Sequence, residues 1–239
     1  MEIKELDQMP QMHELAELFA TIWGRPGEPP LDSSTLQALS HSGNYVAAAY
    51  SGNSMVGGLI GWLGGRPPDD LHLHSHILGV LPDTEARGVG FGLKQHQRTW
   101  CMDRGVTSIE WTFDPLVRRN AYFNLVKLGA DAVEYLVNFY GPMDDGINTG
   151  EESDRILVRW NLQSEKAAAA AAGRPLEFRP DAGALHVPVP DDIVATRRDD
   201  PELARRWRHQ LRESLGGAMS RGYRVAGLSR AFEYVLLRG

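Results

Sequence analysis

The segment Val80-Leu81-Pro82-Asp83-Thr84-Glu85-Ala86-Arg87-Gly88-Val89-Gly90-Phe91-Gly92 constrains this 239-residue chain more than any other. The stretch from Leu71 to Val80 reads as a strand, and Pro82, which lacks an N–H, ends it. Three glycines at alternate positions then let the backbone turn tightly and come close to a ligand. Leu93, Trp100 and Cys101 share one face of a helix that runs to about Arg104, and Gly105 sits where a C-terminal cap belongs. The first-turn amides of such a helix lack partners and its dipole is positive there. Strand, glycine turn and helix together make an anion site suited to a phosphate or pyrophosphate. It is not a P-loop, because no Gly-Lys-Ser/Thr follows. The glycine spacing also differs from the dinucleotide Gly-x-Gly-x-x-Gly pattern.

The flanking segments place this turn inside an alternating α and β chain. Met12, Leu15, Phe19, Ile22 and Trp23 predict an amphipathic helix over residues 8–23, broken by the Pro- and Gly-rich stretch 25–30. A shorter helix follows Asp32, a good N-cap. Tyr45–Tyr50 and Met55–Trp62 read as a hairpin around Ser51-Gly52-Asn53. After the glycine turn come a strand over Val106–Asp114, a helix to Leu128 ended by Gly129, and strands around Ala132–Phe139 and Arg155–Leu162. An alanine run, Ala167 to Ala172, marks a linker or short helix. The expected division is a domain over 1–162, a linker over 163–183 and a half-domain over 184–239. That last part reads strand (Ala184–Val189), helix after Asp200-Pro201, Gly222, then strands Tyr223–Leu228 and Glu233–Leu237. The same order occurs over 106–162, so residues 184–239 are expected to be a partial repeat; an unrelated helix and hairpin is the alternative.

Arg87, Gly90 and Gly92 match the signature Q/R-x-x-G-x-G/A. With Val80-Leu81-Pro82 before it, and Arg118-Arg119-Asn120-Ala121-Tyr122-Phe123-Asn124-Leu125-Val126-Lys127-Leu128-Gly129-Ala130 after it, the chain resembles the GNAT superfamily of acyl-CoA-dependent N-acyltransferases. The element order of residues 1–162 agrees with that resemblance. It implies an α/β (α+β) fold, a mixed central sheet flanked by helices, with the C-terminal β-α-β-β unit as an extension. It also implies that Arg87, Gly88, Val89, Gly90, Phe91 and Gly92 wrap the CoA pyrophosphate. Leu78 and Val80 would offer backbone groups to the pantetheine and acyl carbonyl, and Asn120, Phe123 and Asn124 would flank the CoA arm. The reaction implied is direct attack of a neutral amine on the thioester, with a strand N–H meeting the oxyanion.

The chain departs from the family where Leu125 replaces a tyrosine that protonates the leaving thiolate, and where Arg118 replaces an asparagine. Another acid is therefore needed, or solvent serves; alternatively the protein binds CoA without transfer. His72, His74 and His76 alternate along their strand and share one face. His76, nearest the thioester, is the expected base, since an imidazole with a pKa near 6.5 suits that role. Glu110 on the next strand is the runner-up and an expected acceptor contact. No Asp, Glu or Cys completes a metal motif with the three histidines, so no metal is expected. The loop from Gly141 to Asp154 is long and polar, and long loops in compact domains often carry function. Tyr140 is the candidate acid, while Asn148 and Arg155 could hold an acceptor carboxylate. Trp111 and Cys101 read as core.

Composition narrows the partners. The chain is 42% hydrophobic and 23% charged, typical of a globular protein. Its single cysteine excludes a disulfide framework, and no apolar run is long enough to span a membrane. The polar start MEIKELDQMPQMHEL does not read as a signal peptide, so a cytoplasmic protein is expected. The net charge of −6 divides into −9 over residues 1–162 and +3 over 163–239. An acidic body argues against nucleic acid as a partner, and Arg205, Arg208 and Arg212 on the tail helix are expected to form a solvated face. The expected activity is transfer of an acetyl or other short acyl group from acyl-CoA to a primary amine of a small molecule, such as an amino acid. Succinyl-CoA is the alternative donor, and a homodimer is an open arrangement.

Overall fold

A computed structural model describes residues 1–24, 26–66, 70–82, 88–141, 152–174 and 183–239. The chain divides into two compact units, Met1–Glu110 and Trp111–Gly239.

The first unit begins with a short strand β1 (Glu2–Glu5), helix α1 (Met9–Ile22) and helix α2 (Ser33–His41). Strands β2 (Tyr45–Ser51), β3 (Ser54–Arg66) and β4 (Asp70–Val80) follow, then helix α3 (Val89–Asp103) and the start of β5 (Ser108–Phe113). Met12, Leu15 and Phe19 turn the apolar stripe of α1 into a core shared with Leu36, Val46, Ile60 and Ile77. Asp32 caps α2, accepting from the Ser34 and Thr35 N–H groups at 2.9 and 3.0 Å. β1 has no counterpart among the expected elements: a four-residue strand with one apolar residue carries no period to read. It pairs with β2 from Glu2↔Tyr50 to Glu5↔Ala47, and its charged outer edge discourages further pairing.

The second unit takes the remainder of β5 and continues through α4 (Arg118–Ala121), a π-helical segment (Tyr122–Lys127), β6 (Asp131–Leu136), β7 (Arg155–Asn161) and α5 (Glu165–Ala171). After these come β8 (Leu185–Val187), α6 (Ile193–Asp199), α7 (Pro201–Leu211), a second π-helical segment (Arg212–Gly216), α8 (Gly217–Ser220), β9 (Tyr223–Leu228) and β10 (Tyr234–Arg238). The alanine run forms α5, capped by Ser164.

The larger sheet is mixed, with order β1-β2-β3-β4-β5-β7-β6, and a second sheet has order β8-β10-β9. In both, the last strand of a strand-helix-hairpin unit lies between the other two. In both, a π-helical segment precedes a glycine with positive φ, Gly129 at 73° and Gly222 at 88°.

The arginine face is a correction. Arg208 is only 2% exposed and clasps Asp114, with Nη1 and Nη2 donating at 2.8 and 3.0 Å. Arg197 Nη2 donates to the same carboxylate at 2.5 Å, and Arg212 donates to Asp154 at 2.9 and 2.7 Å. Only Arg205 and Arg206 lie in solvent, paired with Glu202 and Asp200. The buried stripe of α7 and its continuation runs through Ala204, Arg208, Leu211 and Leu215, which leaves Leu203 36% exposed. The stripe keeps Leu211 and Leu215 but takes in Arg208, whose guanidinium clasps the buried Asp114, in place of Leu203.

Candidate active site

The first unit's share of the site is built on β4, which pairs antiparallel with β3 along most of its length and parallel with β5 at Leu73↔Ile109 and His74↔Glu110. The register with β3 shifts just beyond: Gly61 faces Ser75 and Ile60 faces Ile77, which makes His76 the extra residue of a β-bulge. Odd-numbered residues change face across the bulge. Ser75 meets α3 through Lys94, while Ile77 joins the α1 core.

In the sequence β4 is followed by α3. Gly88 caps that helix at φ 100°, a left-handed conformation that favours glycine. The first helical bond runs from Gly92 N to Gly88 O at 2.8 Å, so the Val89 and Gly90 amides precede the ladder. Those amides and the dipole form the anion end expected from the sequence. A Cβ at Gly92 would lie 2.8 Å from Met1 Cε, the far end of a flexible side chain that can move aside. Val89 is buried, Phe91, Leu78 and Val80 are half-buried, and Arg87 lies outside the described residues.

On the face opposite α3, three rings cluster. Trp62 lies 5.1 Å from His74 and 4.5 Å from His76, and the two imidazoles are 5.7 Å apart. His72 Nε2 approaches Glu110 Oε2 at 3.5 Å. The histidines therefore do share a face, with Glu110 beside them. Burial pulls the His74 pKa down to about 4, with the neighbouring imidazoles adding to it, and burial lowers that of His76 as well. His74 is therefore neutral at neutral pH, and the shift at His76 runs in the same direction. Among the described residues no group of three or more ligating side chains is arranged to hold a metal ion, and no helix is long and apolar enough to cross a membrane.

Lys94 and Trp62 did not stand out in the sequence. Lys94 is 2% exposed on α3, and its Nζ donates to Ser75 Oγ at 2.8 Å and to Gln97 Oε1 at 3.3 Å. Burial pulls its pKa down to about 7. The signal was present in the spacing: Val89, Leu93, Lys94, Gln97, Trp100 and Cys101 all fall in the buried stripe of α3.

In the second unit, Asn120 and Phe123 are half-buried, and Asn124 is buried with Oδ1 accepting from Trp111 Nε1 at 3.1 Å. Asn120 belongs to α4, and Phe123 and Asn124 to the π-helical segment, an irregularity frequent at functional sites. Tyr140 is exposed, its hydroxyl 3.2 Å from Thr112 Oγ1, and the Arg155 guanidinium lies 5.4 Å from its ring centroid. Arg155 itself is buried and donates to Asp154 O at 2.9 Å. Asn148 falls outside the described residues.

A family model described as Acetyltransferase (GNAT) family matches residues 10–126. Those residues, just under half of the chain, match a GNAT acetyltransferase domain, and the proteins of that family are acyl-CoA-dependent N-acetyltransferases. No curated protein matches the chain. Among solved structures, the chain is similar to an aminoglycoside 6'-acetyltransferase type Ii, at 18% identity over 69% of this chain and 99% of the other, with a TM-score of 0.53. It is similar to the ribosomal-protein-alanine N-acetyltransferase from Brucella melitensis, at 14% identity over 66% and 98%, TM-score 0.53. It also resembles Arabidopsis thaliana Naa50, solved with the bisubstrate analogue CoA-Ac-MVNAL, at 18% identity over 66% and 96%, TM-score 0.51. At these identities the likeness shows the fold.

Proposed function

We propose that this protein transfers an acetyl or other short acyl group from acyl-CoA to a primary amine of a small molecule. The observation that carries the reading is the glycine-capped start of α3 after β4, with Gly88 at φ 100° and the Val89 and Gly90 amides ahead of the first helical bond. Pantetheine is an extended chain of amides, and its proposed partners are the backbone groups of Leu78 and Val80. Its pyrophosphate then meets the Val89 and Gly90 amides, with Arg87 supplying the countercharge. A β4 N–H next to the bulge serves as the oxyanion donor.

His76 is the proposed base. Its neutral imidazole can take a proton from the incoming ammonium, leaving an amine lone pair to attack the thioester carbonyl. The nitrogen of the tetrahedral intermediate gives up its remaining extra proton to water as the C–S bond breaks, which leaves a neutral amide and the CoA thiolate. Tyr140, exposed and with its hydroxyl 3.2 Å from Thr112 Oγ1, is the proposed donor to the thiolate in place of Leu125. Glu110 is the proposed acceptor contact on the His72 side. Residues 184–239 are proposed as a partial repeat of the strand-helix-hairpin unit, supported by the matching orders β5-β7-β6 and β8-β10-β9.

Thermal stabilisation by CoA, acetyl-CoA and succinyl-CoA tests the donor. A ligand at about 100 times its Kd adds about 2.7 kcal/mol. Gly90→Glu places a side chain and a negative charge at the helix start, and the expected outcome is loss of that shift. A wild-type protein with no shift for any CoA would remove the reading, and a shift without turnover of any amine would favour a CoA-binding module.

A further inference from the structure

The bulge at His76 lies in a strand pair poorly equipped to hold its register. β3 contributes Gly57, Gly58, Gly61, Gly64 and Gly65, so nearly half of its positions opposite β4 have no side chain to lock the pairing. Register is weakly specified in glycine-rich strands, and a one-residue slip carries every side chain to the other face. A slip at this point would send His76 toward α3 and away from Trp62 and His74. One polar contact opposes it. Ser75, 4% exposed and adjacent to the bulged residue, receives a hydrogen bond from the buried Lys94 Nζ at 2.8 Å, and Gln97 Oε1 steadies the same amine at 3.3 Å.

We propose that Lys94 is a positioning residue for acyl transfer: by holding Ser75 on the α3 face it fixes the bulge that turns His76 to the opposite face. This rests on the reading of His76 as the base. The groups that face Lys94 electrostatically are Cys101 on its own helix and, more weakly, His74 on β4, with Ser75 and Gln97 as its hydrogen-bond partners. A buried amine is an expensive device for a stable core, because burial penalises its charged form. Its retention at the bulge is accounted for by a task that a methionine of similar length could not perform.

The test compares wild type with Lys94→Met, Ser75→Ala and the double variant, using acetyl-CoA and an amine that wild type turns over. A misplacement of about 1 Å at a reacting group costs about 100-fold in rate. The expected result is a kcat loss of that order in each single variant, with KM for acetyl-CoA unchanged. The double variant should be no worse than either single one, because both remove the same contact. Ser75→Thr, which keeps the hydroxyl, should restore most of the rate. The acid limb of the kcat/KM profile should also move in Lys94→Met, since the His76 environment changes; a purely structural role would leave it in place. Wild-type kcat in Lys94→Met, or losses that multiply in the double variant, would overturn the inference. His76→Gln run in parallel keeps the two readings apart. If His76→Gln is fully active, the base assignment fails and takes the positioning role with it. If it is inactive while Lys94→Met is not, only the positioning role fails.

Discussion

His74 and His76 share a ring cluster with Trp62, and the loss of water around them holds both pKa values below the ordinary imidazole value of 6.5. A base whose pKa is lowered stays neutral, and thus able to accept a proton, to lower pH. The acid limb of kcat/KM should therefore fall below pH 6.5, and a pH–rate series on wild type and His76→Gln checks this. In the variant the His76 limb should disappear along with most of the rate, by about 100-fold or more. Lys94 makes the opposite trade at the same bulge. Unfolded, its amine keeps a proton up to 10.5; folded, burial makes it give that proton up near 7. Between those values the unfolded chain binds more protons, so stability rises with pH across that window. Each pH unit of such a difference is about 1.4 kcal/mol, so the fall from 10.5 to about 7 costs on the order of 5 kcal/mol, which outweighs the roughly 1–3 kcal/mol of leaving Ser75 and Gln97 short of a donor. Lys94→Met should therefore unfold at higher urea than wild type at pH 7, with a flatter dependence between pH 7 and 10. A variant that is more stable yet slower would mark a residue kept for function.

Helix α7 shows how an element can be turned by a few charged contacts. Its leucine pattern predicts one buried face, yet the stripe that is buried runs through Arg208, because Asp114 receives both of its Nη groups. Burial by itself would raise the Asp114 carboxyl pKa; the hydrogen bonds and charges of Arg208 and Arg197 outweigh it and hold it well below the ordinary carboxylate range. A carboxyl lowered in this way contributes stability above its unfolded value of 3.8, and that contribution is lost as pH falls below it. Asp114→Asn removes the carboxylate charge that Arg208 and Arg197 share and should cost about 3 kcal/mol or more. Replacing Asp114 and Arg208 together by apolar residues should cost less than the single change, and urea titration of the two variants measures the difference. At the tip of the β9–β10 hairpin, Phe232 adopts φ 62° and its ring centroid lies 4.2 Å from the Arg118 guanidinium and 5.8 Å from Tyr122. The hairpin thus fastens on the helix at 118–127 by a contact that a single helical pattern could not announce.

At the scale of the whole chain, the second unit depends on residues that the expected boundary at 162 would separate. Asp114 and Pro115 come from one side of that boundary, and Arg208 and the buried Tyr234, whose hydroxyl donates to Pro115 O at 2.8 Å, come from the other. A fragment of residues 1–162 should therefore melt below the full chain, as a thermal scan of the two would show. Much of the architecture was legible beforehand: the hairpin, the strand into Pro82, the glycine-capped helix, and the last two strands all fall within a few residues of the expected places. Those elements carry strong local signals, a period of 2 or 3.6 bounded by Gly, Pro or a capping side chain. β1 has one apolar residue, and α6, though capped by Asp192, is a seven-residue helix too short to show a period, so neither is among the expected elements. The glycine turn and the family resemblance were determined by the sequence alone, because backbone freedom and helix-start amides depend on residues close in the chain. Only the tertiary structure decided the bulge at His76, the buried Lys94 beneath it, and the arginine stripe on Asp114 and Asp154. Each depends on which residue lies opposite another across a strand pair or a helix face, and partners 19 to 94 residues apart leave no local period to read.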